Sequence, residues 1–269
     1  MYHYAEKSNV IDMRELVFPV VSLGSAGLKN PDVADVAEWI GNHTGMIVDI
    51  TTYQIDRLFS QQVGVTEPAA GGEFYAARIC SALGVEEHKI IQEFTLELED
   101  IAGDFRFIPK KTVFSIPSFF SLGLEDTYFY DDDEFAENGM IAFKKLIREF
   151  RDRDVSRIIL HAEEPTELEL ELLTGRKYLW KTSAEHVKSV LETTRDLVLA
   201  TDDIGCLSEL FDSYEIRNLY LLNATAESVS VALKFFDREY LFCTGYAPLD
   251  ANETYWKNLL ELKITVENC

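Results

Sequence analysis

The sequence predicts an α/β protein whose second half is a strand-and-arch solenoid built on a parallel sheet, and three observations lead there. First, the apolar triplets Ile158-Ile159-Leu160, Tyr178-Leu179-Trp180, Leu197-Val198-Leu199, Leu219-Tyr220-Leu221, Tyr240-Leu241-Phe242 and Leu262-Lys263-Ile264 each read as the core of a short strand. Second, the first five begin 20, 19, 22 and 21 residues apart. One strand per unit of about 20 to 29 residues is the spacing of a stacked repeat protein, whose units cannot bury their apolar faces alone. Third, the segments between triplets carry apolar residues at arch spacing, with Thr166, Ser183 and Thr225 in front of them as helix-cap chemistry.

Ahead of the repeats, residues 1–153 read as an N-terminal α/β portion. The apolar run 16–23 predicts a strand that ends at the turn Gly24-Ser25-Ala26-Gly27. Asn30 offers an N-cap and Pro31 a first helical position for a helix over 32–43, because proline's missing N–H costs nothing there. A second apolar run, 46–50, predicts a strand, so the first fifty residues read as strand, helix, strand. The stretch 68–72, Pro-Ala-Ala-Gly-Gly, reads as a loop and hinge. Helical spacing follows over 74–83 and 86–94, alternation over 95–99 and 104–108 around Gly103 suggests a hairpin, and 113–116 a further strand. The strongest helix is 135–151. Asp131, Asp132, Asp133 and Glu134 precede it and Lys144, Lys145, Arg148 and Arg151 lie toward its end, which complements the helix dipole and accounts for the acidic run without a metal.

The repeat region covers 154–269. Leu197, Leu199, Ile204, Leu207, Leu210 and Leu219 recur at inward apolar positions, and Leu219, Leu221, Ala226 and Val229 keep that register in the next unit. On these residues the region resembles the leucine-rich repeat family, particularly its 22-residue class. Asp202 stands where that family prefers asparagine, Ala224 replaces it one unit later, and the units at Tyr178, Trp180, Ser183 and at Ile158, Leu160, Glu163 fit more loosely. The resemblance spans 155–266 and does not reach the first half.

The strands carry a conflict. In an open horseshoe the middle residue of each triplet faces the concave surface, yet here it is Ile159, Leu179, Val198, Tyr220 and Leu241. Near-continuous apolar runs are what parallel strands covered on both faces look like. A doubly wound parallel sheet explains that burial, but its strand-helix-strand units need about 30 residues or more. A solenoid whose concave face is covered, by the N-terminal half or by a partner chain, satisfies both observations. The doubly wound sheet is the alternative.

Charge and cysteine usage bound the function. With 47 acidic and 25 basic residues the net charge is −22, which repels nucleic acid and anionic membranes and speeds encounter with a basic protein. The plain alternative is a solvated, soluble surface. No run approaches the roughly 18 apolar residues of a membrane-spanning helix, the first residues lack a secretory pattern, and a cytoplasmic location is the expectation. Cys80, Cys206, Cys243 and Cys269 stand far apart in sequence, with no CxxC pair and no ligand spacing with histidine, so free thiols and no cofactor are expected.

Polar residues gather where the predicted strands end: Asp49, His161, Glu163, Glu164, Thr201, Asp202, Asp203, Asn223, Thr225 and Thr244. Open parallel sheets bind ligands at that edge. One reading is a non-catalytic protein-binding module, an acidic inhibitor or immunity-type protein that holds a basic partner with exposed Trp180, Tyr220, Tyr246 and Trp256 as anchors. The competing reading is an enzyme acting on a phosphorylated small molecule. It places magnesium on Asp49, Glu163 and Asp202, the phosphate on the glycine turn at 24–27, and a general base at His161 beside Glu163. Helix capping explains many of the same residues, and caps are the simpler assignment.

Overall fold

A computed structural model describes residues 13–267. Eight strands in chain order carry the architecture: β1 Val20–Ser25, β2 Ala69–Gly71, β3 Val113–Pro117, β4 Arg157–His161, β5 Tyr178–Lys181, β6 Asp196–Ala200, β7 Asn218–Leu222 and β8 Leu241–Ala247. Six ladders, all parallel, join them into two arcs, β2-β3-β4-β5 and β6-β7-β8-β1. The arcs meet at both ends. Val21 bridges Glu67 and Ser25 bridges Gly72 across the β1–β2 seam, and β5 lies alongside β6.

Closure is shown by the side chains. Val21, Leu23, Ala69, Val113, Ile159, Leu179, Val198 and Tyr220 form one buried cluster, with Leu222, Phe242 and Tyr246 packed against it. Every one of the eight strands contributes to that cluster, and with both seams in contact the sheet closes on itself around it. The chain is an eightfold β/α barrel of the TIM type, with side chains filling the centre.

The barrel resolves the conflict in the triplets. Ile159, Val198 and Tyr220 point to the barrel interior, while their neighbours Ile158 and Leu160, Leu197 and Leu199, Leu219 and Leu221 belong to the outer layer between strands and helices. Both faces are covered, so both parities are apolar. β8 differs, since Leu241 and Cys243 face the outer layer and Phe242 packs inward. The units stay short because their helices do: Glu167–Leu172, Val187–Leu191, Leu207–Ser213 and Ala226–Ala232 have five to seven residues each. The N-terminal half covers the concave face by completing the same sheet. The leucine-rich resemblance is therefore confined to spacing, and strands from both sides of residue 153 share one sheet, β3 pairing β4 and β8 pairing β1.

Several local expectations change. The run 16–23 breaks at Pro19, which cannot donate to a ladder, into the strand Met13–Val17 and β1. The last triplet leaves the barrel: Lys263–Glu267 pairs antiparallel with Met13–Val17. Asp32, rather than Asn30, caps the helix Val33–Asn42, accepting from Ala34 and Asp35 N–H. No strand forms at 46–50, where Asp49 caps the helix Ile50–Ser60. The stretch read as a hinge contains β2. Its small residues suit the seam, because a Cβ on Gly72, at φ +143°, would lie 1.8 Å from Ser25 O. A helix, Glu99–Asp104, replaces the expected hairpin, and 86–94 is not helical. The helix before β4 runs Asp132–Asp152 with Asp131 as its cap, as its charge pattern indicates. Cys80, Cys206 and Cys243 are free thiols, and Cys269 lies outside the described residues, as does the N-terminal segment 1–12. Among the described residues no helix is long and apolar enough to cross a membrane.

Candidate functional site at the barrel mouth

Parallel strands in a closed barrel bring all eight carboxyl ends to one rim, which is where barrels of this type carry their sites. Inward parity puts Ser115 of β3, His161 of β4, Lys181 of β5 and Tyr246 of β8 there. Glu73 stands two residues after β2, as Glu163 does after β4.

The lowest tier is a polar latch. Ser115 Oγ donates to Leu23 O at 2.7 Å and contacts His161 Nε2, which itself lies 3.1 Å from Leu23 O. Because the serine gives its one proton to Leu23, Nε2 carries the imidazole proton and Nδ1 is a bare acceptor, buried without a hydrogen-bond partner. Burial, aided by the neighbouring Lys181 charge, pushes the His161 pKa down to about 3, so the ring is neutral at any ordinary pH. Gly24 is required beneath it, since a Cβ there would meet Ser115 Oγ at 2.5 Å. Serine beside histidine invites comparison with a nucleophile and base. Among the described residues no carboxylate orients the ring, Ser115 is fully buried, and its proton is committed to a backbone carbonyl, so the pair ties β1, β3 and β4 together.

The upper tier faces solvent. The Tyr246 ring lies over His161, centroids 4.9 Å apart, and its hydroxyl accepts from Glu73 N–H at 3.2 Å. Burial raises the Tyr246 pKa, and the Glu73 carboxylate adds to the rise, so the phenol stays protonated. Lys181 Nζ sits 4.5 Å from the Tyr246 ring centroid, a cation–π contact. Half-burial lowers the Lys181 pKa, partly offset by the charges of Glu73 and Glu163. Among the described residues no carboxylate lies within 4.0 Å of Lys181. Tyr255, on the helix Glu253–Leu260, donates to Tyr246 O at 3.0 Å and holds that end of β8 in place. The mouth thus presents one desolvated ammonium between two carboxylates.

The expected residues distribute differently. Trp180 and Trp256 are buried in the outer layer and Tyr220 in the barrel interior, each at 2% exposure or less, so they cannot serve as exposed anchors. Their aromatic character reflects core filling. Tyr246 alone of the four reaches the mouth. The magnesium set does not assemble: Asp49 accepts from Thr51 and Thr52 N–H and pairs with Arg78 at 2.7 Å, while Glu163 and Asp202 stand exposed after different strands. Among the described residues no group of three histidine, cysteine or acidic side chains is placed to hold a metal. His161 and Glu163 share no hydrogen bond, one being buried and the other exposed. Thr166 and Thr225 form capping boxes with Glu169 and Ser228, whereas Asp202 makes no cap bond and Ser183 Oγ donates to Glu163 O instead. Lys181, Glu73 and Ser115 were not singled out in the sequence. The available signal was parity, because Lys181 lies two residues after inward Leu179 and so faces the same interior.

Neither a family model nor a curated protein matches the sequence. The fold does match solved structures. A chain named "Putative Vitamin-B12 Independent Methionine Synthase", from Listeria monocytogenes, superposes with a TM-score of 0.61 over 91% of this chain and 96% of that one, at 15% identity. At that identity the likeness establishes the barrel fold and nothing about chemistry.

Proposed function

We propose that the protein binds a small anionic molecule at the barrel mouth, with Lys181 as the anion's partner. The observation that carries this reading is a half-buried ammonium without a salt-bridge partner among the described residues, on a chain of net charge −22. A desolvated cation whose burial its neighbours only partly offset gains from an arriving anion, and such groups collect at binding sites. Glu73 and Glu163 flank it closely enough to raise its pKa, which suits a ligand carrying a positive group beside its negative one. The ligand class that fits is a zwitterionic α-amino acid, its carboxylate on Lys181 and its ammonium on the flanking carboxylates. The name of the Listeria neighbour, which refers to methionine, makes L-methionine the first compound to try.

Calorimetric titration with L-methionine, L-leucine and succinate tests this. Binding of an amino acid by the native protein, lost in Lys181→Met, supports the reading. Affinity should also fall as pH rises through the lowered Lys181 pKa, because only the ammonium binds. Absence of binding by all three compounds, or binding that Lys181→Met leaves intact, removes it.

The −22 charge supports a second reading, association with a basic protein. With three of the four aromatic anchors buried it now rests on charge alone, and its mark is an association rate that falls steeply with added salt.

A further inference from the structure

The opposite rim of the barrel inverts the charge of the molecule. The segments leading into β3 through β7, residues 105–112, 153–157, 173–177, 192–195 and 214–217, hold nine lysines and arginines against three aspartates and glutamates. That is a local +6 in a chain of −22. A surface pocket of about 260 Å³ opens in this rim ahead of β5, β6 and β7, lined by Arg176, Thr193, Thr194, Arg195, Asp196 and Arg217 among others.

The chemistry of that lining is specific. Arg195 spends its Nη1 on Glu215 at 2.9 Å, while Arg176 and Arg217 have no carboxylate within 4.0 Å among the described residues. Thr194 Oγ1 accepts from Asp196 N–H at 3.3 Å and gives its own proton to no described residue. Asp196 is buried and takes a hydrogen bond from Asn218 Nδ2 at 2.8 Å, which holds its carboxylate in the pocket wall. Two uncommitted guanidinium forks and a free hydroxyl offer donors fanned around one space. Guanidinium forks match phosphate oxygens bidentately, and a group with three exposed oxygens uses more of these donors than a carboxylate can.

We propose that this pocket is a second ligand site, on the face opposite the mouth, and that it takes the phosphate group of a small phosphorylated molecule. Arg176 and Arg217 grip the oxygens, Thr194 donates a further hydrogen bond, and Asp196 opposes the bound charge. That opposition gives the proposal a signature general electrostatic attraction lacks. Losing an arginine weakens binding, whereas neutralising the one buried carboxylate strengthens it while keeping its bond to Asn218.

The test is titration of the full chain with inorganic phosphate at constant ionic strength, sodium chloride making up the balance, read by calorimetry and by thermal shift. The native protein should bind phosphate in preference to chloride. Arg217→Gln and, separately, the more exposed Arg176→Gln should each weaken binding at least tenfold, and Asp196→Asn should tighten it several-fold. The proposal is overturned if the native protein shows no phosphate-specific binding, if both arginine variants bind as the native protein does, or if Asp196→Asn weakens binding. Should Arg217→Gln fail to fold, Arg176→Gln and Asp196→Asn decide the matter.

Discussion

Replacing Arg78 with methionine should be among the most damaging single changes in this chain. Arg78 is 7% exposed and meets three carboxylates, Asp49 at 2.7 Å, Asp100 at 3.2 Å and Asp104 at 2.9 Å. Asp49 and Asp100 are half exposed, so water replaces much of what they would lose. Asp104 has 0% exposure and takes further bonds from Thr52 Oγ1 and Tyr75 OH, both at 2.8 Å, in a knot that joins the helices Ile50–Ser60, Ala76–Ala82 and Glu99–Asp104. Removing Arg78 leaves that buried carboxylate without its cation, which costs about 3 to 5 kcal/mol. At about 2 to 4 °C per kcal/mol for a chain of this order, the melting temperature falls by about 6 to 20 °C. Burial already raises the Asp104 pKa and Arg78 is the chief group holding it down, so in Arg78→Met it climbs further. A carboxyl with a raised folded-state pKa stabilises as pH falls toward 3.8, because the folded form then binds the proton more readily than the unfolded form. Asp49, whose pKa is lowered by the Arg78 bond, loses its contribution in the same direction. The deficit should therefore be largest near neutral pH and shrink toward pH 4, as read from urea denaturation at both. Asp104→Asn added to Arg78→Met should recover part of the loss. A deficit below about 1 kcal/mol, or one that does not change with pH, would refute the reasoning.

Three further outcomes follow from the same structure. Lys181→Met should leave the melting temperature unchanged or raise it, because it removes a desolvated charge; a loss beyond about 1 kcal/mol would make Lys181 a structural group. Leu207→Ala and Leu219→Ala, both fully buried in the outer layer, should each cost about 2 to 5 kcal/mol in chemical denaturation, and unchanged midpoints would contradict the packing described. Asp202→Asn should shift stability by less than about 0.5 kcal/mol, and magnesium should not alter the melting temperature of the native protein. A magnesium-induced rise that disappears in Asp202→Asn would revive the metal reading.

How much the sequence disclosed depends on which physical signal each element carries. The strands β4 to β8 were legible because apolar triplets at regular spacing leave few alternatives, and the covered concave face followed from Ile159, Val198 and Tyr220. What spacing could not disclose was closure. A solenoid and a barrel of very short helices share a period, and only the inward cluster with Val21, Ala69 and Val113 separates them. β2 is hidden in the sequence because Ala-Ala-Gly reads as a loop, whereas the tight β1–β2 seam selects small residues. The helix Glu99–Asp104 carries a hairpin's signal because Gly103 suggests a turn, whereas the glycine is there for close packing, a Cβ on it lying 2.7 Å from Ile47 O. At the mouth, Asp49 and Asp202 drew attention as carboxylates near strand ends. Lys181, a lone basic residue after an apolar run, gained meaning only when the barrel put it beside Tyr246, Glu73 and Glu163.

The central claim, that the mouth is the ligand site and Lys181 its anchor, is tested most directly by mapping a titration with L-methionine onto the amide resonances of the isotopically labelled protein. The account predicts shifts concentrated at Glu73, His161, Lys181 and Tyr246, saturating with ligand and absent in a Lys181→Met protein that otherwise keeps the native spectrum. Saturable shifts that map away from this rim, or that persist at the mouth in Lys181→Met, would contradict it.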